Sequence, residues 1–584
     1  MTARRRRSIR SSGPPVVVAT AVATVAALLL AACAGSVDVA VERADRIGAS
    51  PGGRELSPAE PDPAASVAWD ACDRFGIPDG PSAGRWECAT IEAPMDPFAP
   101  GETTLDAVQL ALTRHRATGD RRGVLVVNPG GPGASGLDAV WSLRSELPVE
   151  LLEAYDVVSW DPRGVGSSTP SISCGPNPDL DDPVVMIECA AATGDLAAHL
   201  AAPYSAADLE TIRLALGERT IDYLGYSYGT AIGAQYAARY PDGVGGFVLD
   251  GAVDPDAGGP DGEFFDGFPF YAADGTAAAA ERFHELCDAT ERCLPGSPSS
   301  RSVLDVLGTS VASLPTDAFD PEPATVDADT LDGVVDSALY DVRNWPLLTT
   351  ALGDAWQTGG GDASTLAALA AVDPVIVTGD EPADAPAGDG PDDFEVANLV
   401  IYCADFAHVV DDTQYCDLLS RNEQPLTPVS AVDVARPILV IGTEYDPATP
   451  GYHAAEMAAA LGDAFPLTWA GVGHTVFPGI SDCVDGIVVA HLLDGVTPSG
   501  GPTCPFVDGV SSDAEIADVA FTLDPVDARA ALSDVLLAAA PTGEDTVCVA
   551  DQLARETTRV VTHVVLGVQS AEAVIAVDAA RAAC

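Results

Sequence analysis

A serine, a carboxylate and a histidine stand in this chain in the order and setting that acyl-transfer chemistry uses. Ser227 lies in Gly225-Tyr226-Ser227-Tyr228-Gly229, between a strand-like run at 220–224 and an alanine-rich run at 230–240 that reads as a helix. A strand that ends in a sharp turn and opens a helix holds a serine hydroxyl exposed on a strained backbone, and flanking glycines let neighbouring chain approach closely. A G-x-S-x-G run is common by chance, so the weight rests on this setting and on the partners. A hydroxyl is a weak nucleophile; it needs a base, and the base needs a carboxylate to orient it. Five histidines follow Ser227 ahead of the C-terminal section: His284, His408, His453, His474 and His491. His474 is the candidate base, because Gly471-Val472-Gly473-His474-Thr475 is a glycine-rich loop after a strand-like run at 465–470. His284 and His491 sit in helix-like runs, and His408 lies near Cys403 in a section of different character. Asp446 is the candidate carboxylate: it follows the apolar run 437–442 and precedes His474 by 28 residues, room for one helix and one strand. Glu444 and Asp250, which ends the strand after the serine turn, are alternatives, and an Asp before Pro447 is also an ordinary turn former.

The tetrahedral intermediate of such chemistry carries an oxyanion that needs two backbone N–H donors aimed at one point. One is expected from Tyr228, next after the serine. The other is expected from Asn128-Pro129-Gly130-Gly131-Pro132-Gly133, a loop that follows the buried-looking strand 123–127. Gly131 is the candidate there, with Gly130 beside it.

The elements that must position these groups read as an α/β fold. Apolar runs at 123–127, 155–160, 220–224 and 244–249 alternate with helical patterns, one of them at 205–216 with Ser205 as N-cap and Asp208 three residues on. That alternation predicts a mostly parallel sheet with helices on both faces. The rhythm breaks over 256–430, resumes at 431–505 and is followed by helix-like segments at 514–540 and 548–583. The expected organisation is a core in two parts, 66–255 and 431–505, with a large helical cap at 256–430 and a small helical appendix at 506–584.

Residues 1–32 read as a lipoprotein signal peptide: Arg4 to Arg7 and Arg10, an uncharged apolar run, then Leu30-Ala31-Ala32-Cys33. Cys33 is the expected lipidation site, and 33–65 reads as a flexible tether between a membrane and the folded part. Of 13 cysteines, 12 remain after Cys33. They fall in sequence-local couples, which an oxidising compartment would allow to pair. Their spacings do not fit a zinc ribbon. The net charge is −58 and lysine is absent. Phosphate contacts need a basic face, so nucleic acid is excluded as a partner.

The motifs Pro129-Gly130-Gly131-Pro132-Gly133, Asp161-Pro162-Arg163-Gly164-Val165-Gly166-Ser167, Gly225-Tyr226-Ser227-Tyr228-Gly229-Thr230, Asp446-Pro447-Ala448-Thr449-Pro450 and Gly473-His474 together resemble the tripeptidyl and prolyl aminopeptidase family, most closely its secreted actinobacterial tripeptidyl-aminopeptidase-like branch. The resemblance spans about residues 69–505. It implies an α/β-hydrolase fold, Ser227, Asp446 and His474 as a catalytic triad, and hydrolysis from the free N-terminus of a peptide. Prolyl aminopeptidases usually have His where Pro129 stands, which favours the tripeptidyl-type branch. No cofactor or metal is required. An ammonium clamp is expected among Asp254, Glu263, Asp266, Glu395 and Asp405, and Phe264, Phe265, Phe268, Phe270 and Tyr271 cluster at the cap entrance. Two other functions use the same pattern: a carboxylesterase or lipase with the same triad, and a catalytically silent envelope binding protein on a hydrolase scaffold.

Overall fold

The computed structural model describes residues 67–75, 85–99, 107–143, 146–172, 174, 183–256, 273–314, 326–356, 361–370, 393–406, 416, 426, 428–498, 500–523, 546–566 and 571–584. The expected signal peptide, Cys33, the tether, His408, Glu263, Asp266 and the aromatic cluster at 264–271 lie outside them.

Nine strands form one sheet: β1 (Trp86–Ala93), β2 (Val108–His115), β3 (Gly123–Asn128), β4 (Tyr155–Trp160), β5 (Ile221–Tyr226), β6 (Val244–Asp250), β7 (Ile438–Tyr445), β8 (Ala464–Val472) and β9 (Thr503–Cys504). Their order is β1-β2-β4-β3-β5-β6-β7-β8-β9. The β1–β2 and β2–β4 pairs are antiparallel, and every pair from β4 to β9 is parallel. The central strands are buried on both faces, and successive residues feed opposite cores. Leu125, Val127, Val248, Leu439 and Ile441 join one cluster, while Val124, Val126, Leu249, Ile438 and Val440 join the other. A continuous apolar run in sequence is the signature of such two-sided burial.

Helices α1 (Gly136–Leu143), α2 (Val149–Ala154), α3 (Pro183–Thr193), α4 (Ala202–Leu216) and α5 (Tyr228–Arg239) precede β6. Between β6 and β7 the described chain is helical: α6 (Ala273–Asp288), α7 (Ser300–Ser310), α8 (Ala328–Leu339), α9 (Trp345–Trp356), α10 (Ser364–Ala370) and α11 (Asp393–Phe406). Helices α12 (Tyr452–Leu461) and α13 (Asp482–Asp494) flank β8; α14 (Asp513–Ala520), α15 (Thr546–Leu553), α16 (Thr558–Val565) and α17 (Ala571–Ala583) follow β9. Helices α15 to α17 share a small apolar core of their own, built on Val549, Leu553, Val561 and Ala576, and Cys548 is bridged to Cys584 across it. The other bridges are Cys72–Cys88, Cys174–Cys189, Cys287–Cys293, Cys403–Cys416 and Cys483–Cys504, the sequence-local couples throughout. No described helix is long and apolar enough to cross a membrane.

One local expectation fails. Helix α4 begins at Ala202, with Ala201 as its cap and a proline in the first turn, so Ser205 is not an N-cap. Proline is pre-organised for the first turn and starts the helix earlier. Ser205 and Asp208 are buried inside the helix, and Asp208 takes a two-point ion pair from the fully buried Arg163 at 2.6 and 2.8 Å. Arg163 also donates to the carbonyls of Met95 and His199. The Asp161–Ser167 motif is thus a structural knot: Asp161 accepts from Ser135 Oγ, Leu137 N and Ser167 N.

Candidate active site

Parallel pairing brings the C-terminal ends of β3, β5, β6, β7 and β8 together, with Asn128 opposite Gly225, Tyr226 opposite Asp250 and Asp250 opposite Ile441. Loops leaving these ends carry Gly131, Ser227, Asp446 and His474.

Ser227 sits between β5 and α5 with φ 53° and ψ −123°. A left-handed φ is costly for a residue with a Cβ and persists where surrounding structure enforces it. Here Ser227 N–H donates to the Asp250 carbonyl at 2.9 Å, and its own carbonyl accepts from Thr230 N and Thr230 Oγ1. The flanking glycines are required by space: a Cβ on Gly225 would lie 2.6 Å from the Gly229 carbonyl, and one on Gly229 2.8 Å from the Asn128 carbonyl. On the facing loop Gly130, at φ 91°, comes so close that a Cβ would meet Tyr226 O at 2.3 Å and Ser227 Cβ at 3.0 Å. Gly130 N–H donates to Asn128 Oδ1 at 3.1 Å.

His474 follows β8, and its Nδ1 stands 3.0 and 3.1 Å from the two Asp446 oxygens. Asp446 follows β7 and is buried; it also accepts from Ala448 N and Thr449 N at 2.8 Å and from Thr449 Oγ1 at 3.0 Å. The Thr449 hydroxyl lies 3.3 Å from His474 Nδ1 as well. Burial disfavours a charged His474, but the Asp446 charge and hydrogen bond, helped by Asp250, outweigh it and raise the imidazole above its ordinary 6.5.

The alternatives go elsewhere. Asp250 does not pair with His474; its Oδ2 accepts from Val476 N and Phe477 N at 3.0 and 2.8 Å and so fastens the histidine loop. Burial pushes its carboxyl up to about 7. Glu444 is exposed. His284 Nδ1 contacts Ser300 Oγ, and His491 Nε2 contacts the Phe247 carbonyl. Asp254, His453 and Glu456 bring one possible metal-ligand atom each within 4.8 Å of one another; two of the three are accessible to solvent, ordinary for a surface this acidic. Asp405 is fully buried and accepts from Tyr228 Oη and Ala202 N, and Glu395 lies in the same helix. Burial raises the Asp405 carboxyl to about 7, against the pull of those hydrogen bonds.

The cap contributes what the sequence did not signal. The backbone carbonyl of Tyr340, after α8, accepts the His474 backbone N–H at 2.7 Å, the Tyr340 ring packs edge-on against the imidazole, and Asp341 forms a bridge with Gly473. No spacing rule relates residue 340 to residue 474, so only the fold could reveal this contact.

Comparison with known proteins agrees with the fold. A family described as alpha/beta hydrolase fold matches residues 123–287, and one described as TAP-like protein matches residues 404–504. Serine protease Hip1 of Mycobacterium tuberculosis is 32% identical over 512 residues, covering 76% of this chain and 92% of that protein. Carboxylesterase B of the same organism is 30% identical over 519 residues, covering 77% and 92%. Tripeptidyl aminopeptidase of Streptomyces coelicolor is 36% identical over 223 residues, covering 33% and 40%. The chain belongs to the tripeptidyl aminopeptidase-like family of α/β-hydrolases, and is a serine hydrolase of that family.

Proposed function

We propose that the protein is a serine exopeptidase that releases short peptides from free N-termini, exported and lipid-anchored through Cys33. Ser227 Oγ attacks the scissile carbonyl as His474 takes its proton. His474 then protonates the leaving amine, and water repeats the cycle on the acyl-enzyme. Asp446 holds the imidazole in the tautomer that leaves Nε2 free to accept. Tyr228 N–H and Gly131 N–H stabilise the oxyanion; engagement of the Gly130 amide by Asn128 favours Gly131 as the second donor. The observation that carries the reading is a strained Ser227 after β5 and a buried Asp446 paired with His474 after β7 and β8, all on loops that leave the same end of the parallel sheet.

A fluorophosphonate should label Ser227 alone, with labelling and turnover lost in Ser227→Ala. Substrate class is read from matched tripeptidyl substrates with free and acetylated N-termini, beside a short ester. A charge-assisted bond to the substrate ammonium, worth about 1.5–3 kcal/mol, predicts a free-amine preference of roughly 10–150-fold in kcat/KM that survives high salt. The likeness to carboxylesterase B supports a second reading, an esterase. Equal rates on both peptides with a far faster ester would establish it. Attachment of a lipid at Cys33 is read by intact mass of the exported chain; an unlipidated Cys33 would remove the anchor.

A further inference from the structure

We infer that one face of the cap helix α11 assembles the oxyanion half of the site, with Asn398 and Asp405 as its positioning residues. The inference rests on the serine-hydrolase reading of Ser227 above. The two proposed donors come from separate loops, one after β3 and one after β5, and neither loop fixes the other through strand pairing beyond Asn128–Gly225. Helix α11 touches both. Asn398 is buried, and its Nδ2 donates to the Pro132 carbonyl at 2.7 Å. Gly133 lies so close to the helix backbone that a Cβ there would sit 2.8 Å from Asn398 N, and one on Gly131 would sit 3.2 Å from Phe394 Cε2. Two helical turns on, Asp405 accepts the Tyr228 hydroxyl and the Ala202 N–H. Residues 394, 398 and 405 are spaced by four and seven and therefore share one face.

The consequence for chemistry is geometric. Oxyanion donors help only when aimed at the place where charge develops, and a misplacement of about 1 Å can cost on the order of 100-fold. Tyr228 opens α5, so a phenol held by a buried carboxylate fixes the rotation of that first turn and the direction of its amide. The hydrogen bond is buried and shielded from water, which makes it stiff. The Pro132 carbonyl held by Asn398 does the same for the glycine loop. The Cys403–Cys416 bridge fastens the end of α11 that carries Asp405. The cap therefore does more than cover the cleft: its seating completes the catalytic geometry.

The test compares Asn398→Leu, Asp405→Leu, Asp405→Asn and Tyr228→Phe, each with Ser227 titrated to completion by fluorophosphonate so that kcat is counted per intact site. The expected result is a kcat loss of roughly 10–100-fold in Asn398→Leu, Asp405→Leu and Tyr228→Phe with KM within about twofold. Affinity for a peptide boronic acid, whose tetrahedral adduct uses the same donors, should fall in parallel. Asp405→Asn keeps an acceptor for the phenol and should recover most of the loss. Tyr228→Phe combined with Asp405→Leu should be no worse than Asp405→Leu alone, because that variant has already broken the Tyr228–Asp405 bond. Normal kcat per titrated site in the Leu variants, or a loss confined to KM, overturns the inference while leaving the Ser227 reading intact. Failure of Ser227 to label in the unmodified protein overturns the underlying reading instead.

Discussion

Two Asp–His–Thr clusters stand among the described residues, and they differ in setting rather than in composition. In the first, Asp446 meets His474 Nδ1 at 3.0 Å with the Thr449 hydroxyl alongside. In the second, Asp354 of α9 meets His563 Nε2 of α16 at 2.7 Å with Thr365 Oγ1 at 2.9 Å. Distances and residue types are nearly the same. The second cluster adds Arg559, whose Nε lies 2.8 Å from Asp354, and it joins the cap to the C-terminal helices beside a cavity of about 770 Å³. Its histidine meets the carboxylate through Nε2, where His474 meets Asp446 through Nδ1. The first cluster stands on the sheet edge with strained backbone around it: among the described residues, the two non-glycine residues of positive φ are Ser227 and Thr475. The second pair fastens two groups of helices; the first lies on the loops that share a sheet end with the strained Ser227, and the proposed function gives it a charge-handling role.

The comparison can be broken most severely at the histidines. His474→Ala should lower kcat by about 10⁴-fold or more. His563→Ala should leave kcat within about twofold and lower stability by about 1–3 kcal/mol, read as a denaturation midpoint. A large kcat loss in His563→Ala would erase the distinction. The carboxylates sharpen it next through pH. Asp446 keeps the His474 pKa raised, and the base must be neutral, so the acid limb of kcat/KM should lie above pH 6.5. In Asp446→Asn the residual rate should show that limb moved downward, since burial then acts with less opposition. An unmoved limb would assign it to another group.

The stability signs are opposite, which gives a third test. The raised pKa of His474 means its pair contributes fully below the unfolded imidazole pKa and loses that contribution as pH rises through the folded value. For Asp354, burial is outweighed by His563, Arg559 and Thr365, and its carboxyl lies below 3.8. Its contribution is present above the ordinary carboxylate range and lost as pH falls through the depressed value. The stability gap between the native chain and Asp354→Asn should therefore hold from neutral pH down to about pH 5 and close in stronger acid. A gap that closes between pH 6 and 8 would contradict it. The smallest effect is expected at the threonines: Thr449→Val should lower kcat by roughly 2–12-fold, one hydrogen bond of about 0.5–1.5 kcal/mol, while Thr365→Val should change stability alone.

The sequence by itself determined the local machinery of the first cluster. A buried strand, Gly225-Tyr226-Ser227-Tyr228-Gly229 and a helix are contiguous, so the strained turn follows from short-range sterics. Apolar runs determined the parallel sheet, and a parallel sheet places every following loop on one edge; the candidates Ser227, Asp446 and His474 needed only that rule. Distance in sequence hid the rest. Asp250 ends β6 and Asp446 follows β7, and only the tertiary structure decided that Asp446 faces the imidazole and Asp250 the backbone beyond it. Asp208, spaced like a capping acid after Ser205, went to Arg163 because a proline started the helix earlier. Asn398, Asp405 and Tyr340 lie in a stretch without strand–helix rhythm, and no period links them to the loops they hold. Side-chain periodicity reports which face of an element is buried; what that face meets is a property of packing, and packing exists only once the chain has folded.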